Sequence, residues 1–311
     1  MFKLIVLGLG AILVAWIGIG LAIEAAFAPK ILRGEMVSIG ERRLRLVCEG
    51  PEAGPLVWLE AGAFGFSADF ADLQAALAGE GFRTCAYDRA GLGFSEPGPW
   101  PRDSAAIVTD LERLMTEAGV TRPVILVGHS MGGQHVRLFA VRHPERVAGI
   151  VLVDAATPEA VEIPMVRRFV DTFGRLSQAV AGLTSAGLAK PLFFLGDRIG
   201  LSGPAVREKQ AAFVSGRHAR NAANEAGHWL QSAAMTREAG GLDPAWPVAV
   251  VTAGESARIS DSAWAAARLA PVEASAAGSY AAVPEAGHAT ILSHRHNGEI
   301  VAAVKRVAAA L

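Results

Sequence analysis

The run Gly128-His129-Ser130-Met131-Gly132 sets a hydroxyl nucleophile at Gly-x-Ser-x-Gly spacing. A serine attacks a carbonyl carbon well from a sharp strand-to-helix turn. Such a turn exposes the hydroxyl and leaves no room for bulk two residues before and after it. The next backbone N–H, that of Met131, then lies at a helix N-terminus, where negative charge is favoured. A serine hydroxyl is a weak nucleophile until a base accepts its proton, and histidine is the usual base. The chain has eight histidines. His129 lies in the turn, and His135 and His143 lie on the helix after it. His218 and His228 fall in a later helical stretch, where a pocket-lining or surface role is expected. His288 follows the last strand, and His294 and His296 form a His-Arg-His run that reads as a solvated face.

The elements around the motif give it the context it needs. Val124–Val127 is an apolar strand leading into the turn, and a helix runs from the turn to about His143-Pro144. Upstream, Met36–Ile39 and Leu44–Cys48 flank Gly40-Glu41 as a hairpin would. Leu56–Leu59 and Phe82–Tyr87 read as buried strands, separated by a helix marked by Phe70, Leu73 and Leu77. Ser104 can cap a helix whose apolar stripe is Ile107, Leu111, Leu114 and Ala118. Downstream, Gly149–Val153, Pro247–Thr252 and Ser279–Val283 are strands, with helices over Ala263–Leu269 and Ile300–Leu311. Strands that are apolar throughout and alternate with helices predict an α/β protein built on a doubly wound, mostly parallel sheet. From about residue 157 to 244 the strand signal stops and helical sequence takes over, as expected of a helical cap inserted between two core strands.

The N-terminus differs in kind. Leu4–Ile23 is twenty consecutive uncharged residues, the length of a helix that crosses a hydrocarbon core. Its mixture of Gly and Ala with Leu, Ile, Val and Trp16 is common in membrane helices. Two readings stay open for residues 1–28. An uncleaved anchor in a lipid bilayer through residues 4–23 is favoured, because a cleaved signal usually has a shorter apolar region. Ala26-Phe27-Ala28 resembles a cleavage site, but Pro29 argues against processing there. Positive residues stand on both sides (Lys3 before, Lys30 and Arg33 after), and the reading leans to a catalytic domain on the exported side.

With 51% hydrophobic and 19% charged residues, a large core is expected, and a formal net charge of -1 gives no ground for nucleic acid as a partner. Cys48 and Cys85 have no metal-ligand spacing around them and read as two buried or semi-buried thiols, a disulfide being open to them if the domain is exported. No motif supports a metal or an organic cofactor.

From about residue 36 to the end, the chain resembles the α/β-hydrolase superfamily, on its serine-nucleophile, esterase-like branch. The likeness rests on the order and spacing of Leu59-Glu60-Ala61-Gly62-Ala63-Phe64-Gly65, Tyr87-Asp88-Arg89-Ala90-Gly91-Leu92-Gly93-Phe94-Ser95, Gly128–Gly132 and Gly287-His288. It implies a hydrolase domain over 36–311, Ser130 as nucleophile and His288 as base. Many relatives carry the acid three residues beyond the Gly that follows the penultimate strand, and here that place is Ala257. Other relatives carry it at the end of the strand after the nucleophile helix, where Asp154 stands. Asp154 is therefore the favoured acid, with Glu255 and Asp261 as alternatives, and all three keep the order Ser, acid, His. The backbone N–H groups of Met131 and Ala63 are the expected oxyanion donors. Glu60, at a strand end beside this loop, needs a cationic partner, for which an Arg is expected, or a polar substrate group. The expected reaction is hydrolysis of a small-molecule carboxylic ester-like bond through an acyl-enzyme. Alternatives are the same three groups acting on an amide, thioester, lactone or carbon–carbon bond, or a non-catalytic ligand-binding scaffold.

Overall fold

A computed structural model describes residues 2–27, 31–259 and 262–311. Eight strands form one sheet: β1 (Glu35–Ser38), β2 (Arg43–Glu49), β3 (Leu56–Glu60), β4 (Arg83–Tyr87), β5 (Val124–His129), β6 (Val147–Val153), β7 (Val248–Ala253) and β8 (Ser279–Val283). Their order is β1-β2-β4-β3-β5-β6-β7-β8. β1 pairs antiparallel with β2 and β2 with β4; every other pairing is parallel.

The central strands are apolar on both faces because each face carries its own core. Val57, Leu59, Ile125, Val127, Val151 and Val153 point to one side, against Leu73 and Leu77 of α2 (Ala71–Gly79) and Ile300, Val304 and Val307 of the C-terminal helix. The residues between them, Trp58, Leu126, Ile150 and Leu152, point to the other side. There they meet Val108, Leu111 and Leu114 of α3 (Ser104–Glu117) and Val136 and Phe139 of α4 (Gly132–Arg142). The period-2 alternation of each strand is thus divided between two helical layers. The side chain that caps α3 is that of Asp103, which accepts the Ala106 N–H, and Ser104 is the first helical residue.

Between β6 and β7 the chain forms four helices, α5 (Pro164–Ser185), α6 (Pro204–Val214), α7 (Gly216–Gly227) and α8 (Trp229–Ala239). After β7 come the short α9 (Gly254–Ala257), then α10 (Ser262–Glu273), which continues through Pro271, and after β8 the closing α11 (Gly298–Ala309). At the other end of the chain, α1 (Phe2–Ala26) is long and apolar enough to cross a membrane, and almost all of it is exposed. Of the tripeptide read as a cleavage site, Ala28 lies outside the described residues, as does Pro29.

The cysteine reading is corrected by the sheet. Cys48 on β2 and Cys85 on β4 are direct partners in the antiparallel register, and their sulfurs form a disulfide. The sequence separation of 37 says nothing of this. Two strands that are distant in sequence become neighbours, which brings the Cα atoms to 4.1 Å.

Candidate active site

β3, β5 and β6 deliver the site at their C-terminal ends, which is where parallel α/β sheets gather chemistry. Ser130 follows β5 in a left-handed conformation, φ 53°. The crowding expected of the two glycines is present. A Cβ on Gly132 would stand 2.4 Å from the Glu60 carbonyl oxygen, and one on Gly128 would stand 2.7 Å from a Val136 methyl. A larger residue at either place would push β3 or α4 away from the turn.

Three side chains from three elements meet here. His288, in the loop after β8, places Nε2 2.9 Å from Ser130 Oγ. Its Nδ1 is 2.6 Å from Asp154 Oδ2. Asp154, at the end of β6, is also in the left-handed region, φ 41°. It accepts the Ala253 N–H at 3.1 Å and the Ser256 hydroxyl at 2.8 Å. Burial pushes its carboxyl upward, but the hydrogen bond and charge of His288 and the Ser256 hydroxyl together hold it below the usual carboxylate range. Asp154 is buried, whereas the His288 ring is about half exposed, on the side that faces a cavity.

The other two carboxylates considered for this place stand differently. Glu255 accepts the backbone N–H of His288 at 3.4 Å, so it meets the loop and not the imidazole. Asp261 lies outside the described residues. Among the described residues, the N–H groups of Met131 and Ala63 donate to no protein acceptor. Ala63 lines the same cavity as Ser130 and His288.

Three supporting residues could not be read from the sequence. His129 is buried, its ring centroid 4.9 Å from that of His288. Burial, with the nearby charge of His288, pushes its pKa down to about 3. The neutral ring meets the His288 carbonyl oxygen through Nε2 at 2.9 Å, fixing the loop that carries His288. Ser256 orients Asp154, as above. Arg89 resolves the Glu60 question: its guanidinium donates to Glu60 Oε1 at 2.8 Å, to Glu225 Oε2 at 2.8 Å, and to the carbonyl oxygens of Ala61 at 2.7 Å and Gly62 at 2.8 Å. All three side chains are buried. Although burial alone raises the Glu60 carboxyl, His135 and Arg89 bring it below its ordinary value. One Arg thus bridges two carboxylates and holds the loop that carries Ala63. Only the dipeptide Asp88-Arg89 inside the second matching segment could have pointed to it.

Four of the six other histidines have polar partners for their side chains. His218 accepts the Gly93 N–H at 2.9 Å, and His135 meets Glu60 at 3.2 Å. His228 meets the Asn224 carbonyl oxygen at 2.7 Å, and His294 meets Asp72 at 3.2 Å.

The cavity above Ser130 has a volume of about 540 Å³. Phe169, Phe173 and Trp229 line it together with Met165, Val166 and Val170. Phe193 packs on Phe27, the residue that follows α1, and Phe194 is exposed.

Residues 55–294 match the family described as alpha/beta hydrolase fold, and the chain belongs to that family. A curated relative from Caulobacter segnis, "Putative carbamate hydrolase RutD", is 30% identical over 183 residues, covering 57% of this chain and 60% of that one. Alignments with the curated relatives cover only part of those proteins, 18%, 15% and 60% of their lengths for three of them. Among solved structures, the epoxide hydrolase VrEH1 from Vigna radiata superposes with a TM-score of 0.70 at 16% identity, covering 89% of this chain and 98% of that one. A thermophilic esterase from Thermogutta terrifontis superposes with a TM-score of 0.61 at 20% identity, covering 88% and 97%. These likenesses show the fold. The chain carries the alpha/beta hydrolase fold.

Proposed function

We propose that this protein is a membrane-anchored serine hydrolase that cleaves a carboxylic ester-like bond through an acyl-enzyme. The observation that carries the reading is the line Ser130 Oγ–His288–Asp154, with contacts of 2.9 and 2.6 Å. His288 Nε2 takes the Ser130 proton while Oγ forms a bond to the acyl carbon. The Met131 and Ala63 N–H groups receive the negative oxygen of the tetrahedral intermediate. Asp154 holds the Nδ1 proton and stabilises the imidazolium. Collapse breaks the bond to the alcohol oxygen, which leaves with the proton from Nε2. Water then adds by the same steps, releasing the carboxylic acid and restoring Ser130.

Epoxide hydrolases of this fold use a carboxylate nucleophile, and the position here is Ser130, which supports an acyl rather than an epoxide substrate. A carbamate, the substrate named for the Caulobacter relative, presents a carbonyl of the same reactive type. The apolar cavity favours an acyl chain over a charged group. Comparing kcat for Ser130→Ala and His288→Ala with the parent on an ester series tests the reading: near-parent turnover in either variant removes that residue from the mechanism.

The organisation that goes with this function is an anchor over residues 1–28 and a catalytic domain over 36–311, with its cap at about 157–244. Two observations support an uncleaved anchor. Glu24 of α1 pairs with Lys190, whose side chain is only 4% exposed, and a Cβ on Gly20 would stand 2.6 Å from the Gly187 carbonyl oxygen. A segment destined for removal has no reason to pack so closely on the mature domain. The Cys48–Cys85 disulfide supports a catalytic domain on the exported side, since disulfides persist in oxidising compartments.

A further inference from the structure

The outer face of α5 carries an apolar stripe that the fold leaves uncovered. Met165, Phe169, Leu176, Val180 and Leu183 are all exposed, Phe169 and Leu176 at 60% each. At about 100° per residue these five side chains, with Phe173, fall within roughly 80° of one another around the helix. The buried face of α5, formed by Val166, Val170, Gly174, Ser177 and Ala181, lies beside this stripe and faces the protein. Arg168 and Arg175 are exposed roughly 60–80° beyond the stripe's other border, Arg175 in an ion pair with Asp171. A helix with an exposed apolar stripe edged by arginines has the pattern of one lying in a membrane interface.

The position of α1 says what covers that stripe. Within the uncharged stretch Leu4–Ile23, Trp16 donates its indole N–H to the Leu188 carbonyl oxygen at 2.9 Å. Ile17 lies beside Gly187, and Gly20 beside Gly187, Lys190 and Pro191. Trp16–Ile23 is the last ~12 Å of that stretch at helical rise. Twenty residues of helix are about as long as a hydrocarbon core is thick. If the whole stretch is to lie in hydrocarbon, the edge of the cap around Leu183–Leu188 must lie at the membrane boundary with it. Leu192, Phe194 and Leu195, beyond the α1 contact, are exposed as well and extend the apolar surface. At the far end of α5, Met165 and Phe169 belong both to this surface and to the lining of the Ser130 cavity.

We propose that the outer face of α5 rests in the bilayer that α1 crosses, so that the cavity opens towards the lipid and receives amphiphilic acyl esters dissolved in the membrane. This rests on reading α1 as an uncleaved anchor and the cavity as the acyl site. Leu176 and Val180 lie on the stripe outside the cavity lining, so they separate membrane contact from chemistry.

The test uses the full chain reconstituted in phosphatidylcholine vesicles containing a minority of phosphatidylglycerol. A fluorophore is attached through Leu176→Cys, Ile12→Cys or, as a water-exposed control, Glu52→Cys, and nitroxide-bearing lipids serve as quenchers. Quenching is expected at positions 12 and 176 and not at 52. Quenching at 12 alone keeps the anchor and overturns the proposal, whereas no quenching at 12 overturns the anchor reading and the proposal with it. In a second arm, Leu176→Asp with Val180→Asp is expected to lower turnover of a long-chain diacylglycerol in the vesicles by roughly tenfold. Turnover of a short water-soluble ester by the same variant stays within about twofold of the parent. Loss on both substrates, or on neither, overturns the membrane-facing entrance. Inactivity of the parent on both esters instead overturns the ester reading, and the quenching arm still decides the surface.

Discussion

The carboxylate that meets His288 Nδ1, at 2.6 Å, is Asp154 from the end of β6, while the turn after β7 contributes Ser256 as a hydrogen-bond donor to it. Glu255, from that same turn, reaches only the His288 backbone. Asp154→Asn is therefore expected to lower kcat by about 10⁴, because the amide stabilises the wrong imidazole tautomer. Glu255→Gln should change kcat by less than about tenfold. Steady-state rates on a soluble ester distinguish the two, and the reverse ranking would move the acid to Glu255.

Much of this site was legible in the sequence, for definite physical reasons. The Gly-x-Ser-x-Gly turn is a local steric requirement, so five consecutive residues carry it, and the strand before and helix after give its direction. His288 follows from its place after the last strand together with the family resemblance. The carboxylate that meets His288 was harder to read because its position depends on which strand ends converge, and both the β6 and β7 ends offered a carboxylate. The Cys48–Cys85 pairing and the Arg89–Glu60 contact depend on the register of strands and on loops far apart in sequence, and periodicity holds no trace of either. The exposed stripe on α5 has a helical period, but only packing shows which of its two apolar faces the protein leaves uncovered.

Arg89 is the shared partner of Glu60 and Glu225 and of two loop carbonyls. Arg89→Met leaves two buried carboxylates without their cation and should cost about 3–5 kcal/mol of stability. Equilibrium denaturation in detergent measures this. A loss below about 1 kcal/mol would show that the two carboxylates find other compensation.

The disulfide closes a loop between residues 37 apart. In the chain-entropy account a loop of this size is worth about 3–4 kcal/mol. Reduction, or the Cys48→Ala/Cys85→Ala pair, should lower the denaturation midpoint accordingly. The untreated protein should show no thiol titratable by iodoacetamide under denaturing conditions. A full complement of free thiols in protein isolated from membranes would place the domain in a reducing compartment.

His218 is buried, and burial together with the charges of Lys209 and Arg217 lowers its pKa from 6.5 to about 3. The folded state keeps this ring neutral while the unfolded chain protonates it below 6.5. The unfolded state therefore binds more protons in that window, and stability falls as pH drops from about 6.5 towards 3. The contribution of this one ring to the slope approaches ~1.4 kcal/mol per pH unit well inside the window. Denaturation midpoints for the parent and His218→Gln between neutral and mildly acid pH should show a shallower dependence in the variant. Equal slopes would mean that His218 does not report this linkage.

The central claim is an activated serine at position 130. The full chain in detergent, treated with a fluorophosphonate probe, is the direct test, with Ser130→Ala as control. Rapid one-to-one labelling of the parent that disappears in the variant is the expected result. A folded parent that does not react, or a variant that labels as fast, would contradict the account and leave the 2.9 Å contact between Ser130 and His288 without a catalytic meaning.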